Sequence, residues 1–96
     1  PLTPACGSIA RAARFVRLAG RPNLGLAVDC LHLMRSGGTA DDVAAVPAAA
    51  IAYAQLCDGP DLRLRGDYLP EAMDRMVPGD GAFPIAAILD ALPAAT

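Results

Sequence analysis

Polar residues stand where two apolar runs stop. The first run, Leu24 to Val28 within "LGLAVD", ends at Asp29, and His32, the only histidine in the chain, follows three residues later. The second, "IAYAQLCD", turns polar at Gln55 and Asp58. If both runs are parallel strands, these residues sit at strand C-terminal ends, where open and closed α/β folds place their sites. Two oxygen ligands from neighbouring strand ends, with an imidazole close by, suit a divalent metal of the Mg, Mn or Zn kind. Such a metal would hold two oxygens of a hydroxy-carbonyl compound and lower the cost of the enolate formed on proton abstraction.

Each residue also has a simpler reading. An Asp after a strand is very often a helix N-cap, and on local grounds Asp29 is better read as capping residues 31–35. His32 alone reads as a surface or capping histidine. Gln55 is harder to set aside, because a strand interior of "AYAQL" would bury its amide at a cost unless partners are present. Arg75 reads as solvated on composition alone. "PGDG" indicates a turn, and its glycines do not match a phosphate loop. Cys30 and Cys57 have no evident base beside them, which argues against nucleophilic roles. The single glutamate, Glu71, lies far from a strand end and reads as a helix-start charge. A mechanism that needs two strand-end carboxylate bases is therefore incomplete in this chain.

The elements that must position these residues can be read in order. "SIARAARFVRLAG" predicts a helix opened by Ser8 and closed by Gly20, with Pro22 as a stop signal. Ile9, Ala12, Val16 and Ala19 form its apolar face, opposite a stripe of Arg11, Arg14 and Arg17 that reads as a solvated face. "LGLAVD", residues 24–29, has the length and apolarity of a strand buried on both sides. A short helical stretch runs on to Arg35 and breaks at Gly37-Gly38. "TADDVAAVP" starts a helix at Thr39, with Asp42 placed for a capping box, and that helix stops before Pro47 or is interrupted there.

Residues 51–58 read as the second strand, its core near 51–57, mostly apolar until the polar end at Gln55 and Asp58. A polar loop, "GPDLRLRGDY", leads to a helical turn from Pro70 to Met76, and "VPGDG" makes a further turn. "FPIAAILDALP" closes as an amphipathic helix with Ile85, Ile88, Leu89 and Leu92 inward. Strands alternating with helices imply a parallel sheet. The 26 residues from Asp29 to Gln55 are close to one βαβ repeat of about 30. Two strands cannot make a parallel sheet covered on both faces, and a closed barrel of this type takes about 250 residues. The 96 residues read as one segment of something larger.

Composition narrows the classes. Apolar residues make up 54% of the chain, which supports a buried core, and the aromatics are limited to Phe15, Phe83, Tyr53 and Tyr68. A net charge of −2, with eight arginines not pooled into one tract, gives no electrostatic reason to expect nucleic acid or an anionic membrane. Three cysteines without C-x-x-C spacing indicate neither a disulfide framework nor a zinc site, so buried reduced thiols in the cytoplasm are expected. No signal peptide is visible, and no apolar stretch approaches the roughly 20 residues of a membrane span.

The combination "NLGLAVDCLHLMRSGGT…IAYAQLCDGP…RMVPGDGAFPIAAILDALP" resembles the sugar phosphate isomerase/epimerase family of xylose isomerase-like TIM barrels, across nearly the whole chain. It is nearest the branch of 3-dehydroshikimate dehydratases and inosose isomerases. The resemblance implies an α/β fold, a partial (β/α)8 TIM barrel of about two βα units from its C-terminal half, with residues 1–96 as one incomplete segment. It makes Asp29 a metal ligand at the end of the sixth strand and His32 a substrate-facing histidine that hydrogen-bonds a hydroxyl or carbonyl oxygen. Gln55 takes the place of a ligand histidine at the next strand, as in the dehydratase-like branch. Arg75, before the "PG-G" turn, becomes a site-rim or loop-ordering arginine. Asp80 departs from the family's frequent glutamate in that turn. Two further ligands, glutamates that also transfer protons, belong to the fifth and eighth strands, which would fall just before Pro1 and just after Thr96.

These readings converge on a fragment of a divalent-metal-dependent enzyme, with Mg, Mn, Co or Zn in the complete barrel. Its substrate class is a small sugar- or polyol-derived carbonyl compound, deprotonated next to the carbonyl. The fragment alone is expected to be inactive, without nucleic acid or membrane partners, and able to form a homo-oligomer. The competing reading is a small non-enzymatic α/β module that associates through exposed sheet edges.

Overall fold

The structure, a computed structural model, describes residues 6–64 and 74–96. Helix α1 spans Ile9–Ala19; the Ser8 side chain accepts the Arg11 N–H at 3.2 Å, and Gly20 closes the helix in the left-handed conformation (φ 59°). Ile9, Ala12, Ala13 and Val16 pack on the core, while Arg11, Arg14 and Arg17 stay exposed as expected. Ala19 is exposed instead of inward, and Ala13 supplies the contact in its place.

Strands β1 (Leu26–Asp29) and β2 (Ile51–Gln55) pair in parallel, with Ala27 opposite Tyr53, Val28 opposite Ala54 and Asp29 opposite Gln55. An irregularity between Leu26 and Ala27 absorbs one residue of β2 and brings the later pairs into register. β1 starts two residues later than the sequence predicts, because the Leu24 N–H turns back to the Arg21 carbonyl. β2 ends at Gln55, earlier than expected, because Asp58 commits its main chain to Met76 in an isolated antiparallel bridge.

The sheet is not buried on both faces. Leu26, Val28 and Ile51 enter a core with Leu31, Leu33, Val43, Val46, Cys57, Phe83 and Ile88. Ala27, Tyr53 and Gln55 alternate onto the other face and remain exposed. Among the described residues nothing layers over that face.

Helix α2 (Cys30–Arg35) begins directly at the end of β1, and α3 (Ala40–Ala44) opens on the predicted capping box. There Thr39 Oγ1 accepts the Asp42 N–H at 3.2 Å, and Asp42 Oδ2 accepts the Thr39 N–H at 2.8 Å. Helices this short are marginal in isolation. Burial holds them: Leu31 and Val43 are fully enclosed, each worth about 1.5–3 kcal/mol of removed apolar surface.

The expected helical turn at 70–76 lies partly outside the described residues, and its end is not helical. Met76 is extended and exchanges two main-chain bonds of 2.9 Å with Asp58. The 77–80 turn forms, with Gly79 at φ 98°. Helix α4 (Ile85–Ala91) buries Ile88 and packs Ile85 and Leu92 against the core. Leu89 is 46% exposed, because seven residues present a narrow stripe and Leu89 falls at its margin.

Candidate functional site

Asp29 and Gln55 are cross-strand neighbours at the C-terminal ends of β1 and β2. The two side chains differ in surroundings. Gln55 is exposed in this chain, where the sequence predicts its amide buried in a strand interior, because no element among the described residues covers that face. Asp29 is 9% exposed and acts as the N-cap of α2, its Oδ1 accepting the Leu31 N–H at 2.9 Å and the His32 N–H at 3.3 Å. The capping reading favoured on local grounds is therefore correct as far as it goes.

The cap does not exhaust the carboxylate. Arg75 Nη1 lies 3.2 Å from Asp29 Oδ1 and 3.1 Å from Oδ2, and also donates to Cys57 Sγ at 3.3 Å. Arg75 is not simply solvated, as its composition suggested. Its side chain is 36% exposed but its head is fixed by two groups from the strand ends. Burial alone would lower the Arg75 pKa, but the negative charge and hydrogen bonds of Asp29 outweigh it and raise the value.

His32 sits in the first turn of α2, half-buried, and lines a cleft of about 260 Å³ together with Asp29, Val28, Ser8, Gly7 and Ser36. Burial lowers its pKa; Asp29 opposes that shift and Arg75 adds to it. At neutral pH the ring is thus uncharged and presents one donor and one acceptor. Asp29 joins the two sides of the site. Its cap orders the helix that carries His32, and its ion pair holds Arg75.

Asp58, a strand-end residue by sequence, acts one step back. It is 1% exposed, and its Oδ1 accepts the N–H groups of Gly59 and Phe83 at 2.8 Å each. Oδ2 accepts the Gly79 N–H at 2.9 Å. Burial raises its pKa, but these bonds and one from Gly81 prevail and hold the carboxyl below the usual range. The sequence signal was the glycine spacing: a Cβ on Gly81 would come within 2.5 Å of Asp58 Oδ1.

Arg35 was read only as a helix end. It is buried, donates from Nη1 to the carbonyls of Asp61 and Arg63 at 2.9 and 3.0 Å, and lies 5.2 Å from the Phe83 ring centroid. It fixes the segment that leaves β2. Cys30 and Cys57 are buried thiols, and burial pushes the Cys30 pKa up, which leaves it a poor nucleophile.

Among the described residues, no three His, Cys, Asp or Glu side chains converge as a metal ion would require. Asp29 and Gln55 can contribute two oxygen donors, with a guanidinium now against the carboxylate. Among the described residues no helix is long and apolar enough to cross a membrane.

Comparison with known proteins bears on the fold and the family. No curated protein matches the chain. A solved structure described as an IOLI protein with a bound zinc atom superposes with a TM-score of 0.77 and 25% identity, covering 88% of this chain and 30% of its own. A xylose isomerase domain protein from Alicyclobacillus acidocaldarius subsp. acidocaldarius superposes with a TM-score of 0.69 and 31% identity, covering 88% and 29%. The chain thus spans about 30% of the length of the structures it matches. Its two parallel βα units are a partial TIM barrel, and the profile of one family runs along it from residue 2 to residue 96. By that match, the chain belongs to the xylose isomerase-like TIM barrel family.

Proposed function

We propose that this chain forms one side of the catalytic mouth of a TIM-barrel isomerase, epimerase or dehydratase acting on a small polyhydroxylated carbonyl compound. The observation that carries the reading is the registered pairing of Asp29 with Gln55 at adjacent strand ends, with Arg75 bonded to Asp29 and His32 in the helical turn that Asp29 caps. In a parallel barrel that end of the strands is where substrate is handled.

Asp29 and Gln55 fit two positions in the oxygen-rich shell of a divalent cation. The zinc in the IOLI structure supports a metal at this kind of barrel. Two donors are fewer than such an ion takes, and the reading assigns the others to the rest of the barrel. When bound, the cation supplies positive charge beside the substrate carbonyl, which makes the neighbouring C–H more acidic. The chain's own residues then divide the remaining work. His32, uncharged at neutral pH, donates a hydrogen bond to a substrate hydroxyl or carbonyl oxygen without adding a second charge beside Arg75. Arg75 places a permanent cation at the rim, already desolvated in part by Asp29 and Cys57.

The chain contains one glutamate, so proton abstraction by a strand-end glutamate is assigned to the remainder of the barrel, and the 96 residues alone are inactive. Cys30 and Cys57, buried and not in a disulfide, support a reducing, cytoplasmic setting. Titration calorimetry with Mn²⁺, Co²⁺ and Zn²⁺ tests the reading. Weak binding lost in both Asp29→Ala and Gln55→Ala supports it. A monomeric, cooperatively unfolding chain with no metal affinity favours a non-enzymatic module, and turnover by the chain alone that is abolished by Asp29→Ala overturns the claim of inactivity.

A further inference from the structure

Arg75 reaches Asp29 across 46 residues of sequence, yet it lies in none of the helices and strands among the described residues. The residue that does so is identifiable. Met76, the next residue, is locked to Asp58 by two main-chain bonds of 2.9 Å. From that point the Asp58 side chain gathers the following turn, its two oxygens accepting N–H groups of Gly59, Gly79 and Phe83 at 2.8–2.9 Å. The Ala82 N–H closes the same knot on the Gly59 carbonyl at 2.8 Å. The glycines leave room for it: a Cβ on Gly81 would strike Asp58 and the Gly59 carbonyl, and Gly79 needs its positive φ. Cys57, the residue before Asp58, offers its sulfur to the same Arg75 Nη1 that bonds Asp29.

We infer that Asp58 is the positioning residue of this site: its main chain holds Met76, its buried carboxylate ties the 79–83 turn to the end of β2, and together they set the Arg75 guanidinium against Asp29. The geometry is that of a bracket. One main-chain bridge fixes the residue beside Arg75, and two charge-assisted bonds, from Gly79 and Phe83, fix the turn that follows. A carboxylate suits this role because both of its oxygens accept and neither must donate. An amide in its place would turn a donor toward one of the N–H groups. The functional meaning of the inference rests on the proposed reading of the site, but the contact itself is measurable without turnover.

The test is side-chain NMR of the arginines in the 96-residue chain. A guanidinium held by Asp29 and Cys57 rotates slowly and shows separate Nη signals, whereas exposed Arg11, Arg14 and Arg17 give averaged ones and serve as internal references. In the native chain Arg75 is expected to rotate at least about fivefold more slowly than Arg11. In Asp58→Asn, which keeps the main-chain bridge to Met76 but loses a carboxylate oxygen, it is expected to rotate at least about twofold faster than in the native chain, while the amide signals of β1 and α2 stay in place. Asp61→Asn, which removes the carboxylate bonded to Arg63, is expected to leave Arg75 slow. Persistence of slow rotation in folded Asp58→Asn overturns the inference, as does equal loss in Asp61→Asn. If Asp58→Asn does not fold, Gly81→Ala replaces it, since the added methyl displaces the same carboxylate without removing it, and Arg75 is again expected to be released. If neither variant folds while Arg75→Ala does, Asp58 is a requirement of the fold and not a positioning residue, and the inference falls. A failure to bind metal or substrate leaves this readout untouched and counts only against the proposed function.

Discussion

Arg75 Nη1 stands 3.1 Å from Asp29 Oδ2, so the carboxylate that caps α2 is also the counter-ion of a residue 46 positions away. The two roles use different features of one side chain. The cap needs an oxygen acceptor at the end of β1, and the ion pair needs the charge. The carboxylate is buried to 9% exposure while its partner remains 36% exposed, so solvent screens the pair and the cap carries much of the energy.

Substitutions at Asp29 separate these roles. Asp29→Asn keeps a good N-cap and loses only the charge, so urea melts are expected to show a loss of at most about 1 kcal/mol. Asp29→Ala removes both and is expected to cost about 1–2 kcal/mol. Equal losses in the two variants would mean that the ion pair, not the cap, dominates.

The same geometry bears on metal binding. A cation taken up by Asp29 Oδ2 must displace or share the Arg75 guanidinium. Arg75→Ala is therefore expected to tighten Mn²⁺ binding by about fivefold, the equivalent of one weak ion pair. Unchanged or weaker affinity in calorimetry would show that Asp29 does not face the ion with that oxygen.

What the sequence made legible was mostly local. Ser8, Gly20, Thr39 and Asp42 cap helices through contacts three or four residues long, and all four act as their types predict. Polar residues at the ends of two apolar runs marked the site, and the motifs from Asp29 to Asp80 pointed to the family. Long-range geometry was hidden. Nothing in the composition around Arg75 indicates that it meets Asp29, because the Asp58–Met76 bridge that brings them together has no periodicity of its own. The exposure of the Gln55 amide was hidden for a related reason: strand burial depends on what covers the sheet, and an apolar run does not say whether one face or two are covered. Arg35 looked like an ordinary helix end, since burial of an arginine depends on distant carbonyls at Asp61 and Arg63.

Arg35 holds the segment after β2 through two carbonyls and the Phe83 ring. Arg35→Ala is expected to cost about 2 kcal/mol, chiefly through lost charged hydrogen bonds and stem packing. Arg35→Lys is expected to restore less than half of that, because an ammonium lacks the planar fork. Amide exchange at Arg63 and Leu64 is the local readout. Unchanged protection in Arg35→Ala would show that the segment is held by other contacts.

Two glycines near Asp58 distinguish crowding from backbone strain. Gly59 abuts the Phe83 ring, where an added Cβ would lie 2.7 Å from Cε1, so Gly59→Ala is expected to cost about 1–3 kcal/mol through overpacking. Gly79 has open space but a φ of 98°, and Gly79→Ala is expected to cost about 1 kcal/mol through strain alone. In thermal melts, trimming Phe83 to Leu is expected to relieve the first variant and not the second. Relief of both would assign the two effects to packing.

Acid stability follows from Asp58. In the unfolded chain its carboxyl titrates near the ordinary value of about 3.9. In the folded chain burial works to raise that value, but the bonds from Phe83, Gly59, Gly79 and Gly81 hold it lower. Between the two values the unfolded state binds more protons, so stability rises with pH across that window. The contribution is complete above the unfolded value and disappears as pH falls through the folded one. Urea melts between pH 6 and pH 3 are expected to show this slope in the native chain and a flatter one in Asp58→Asn, which has no proton to gain at that position. Identical slopes would mean that the carboxyl titrates alike in both states and that its hydrogen bonds do not favour the charged form.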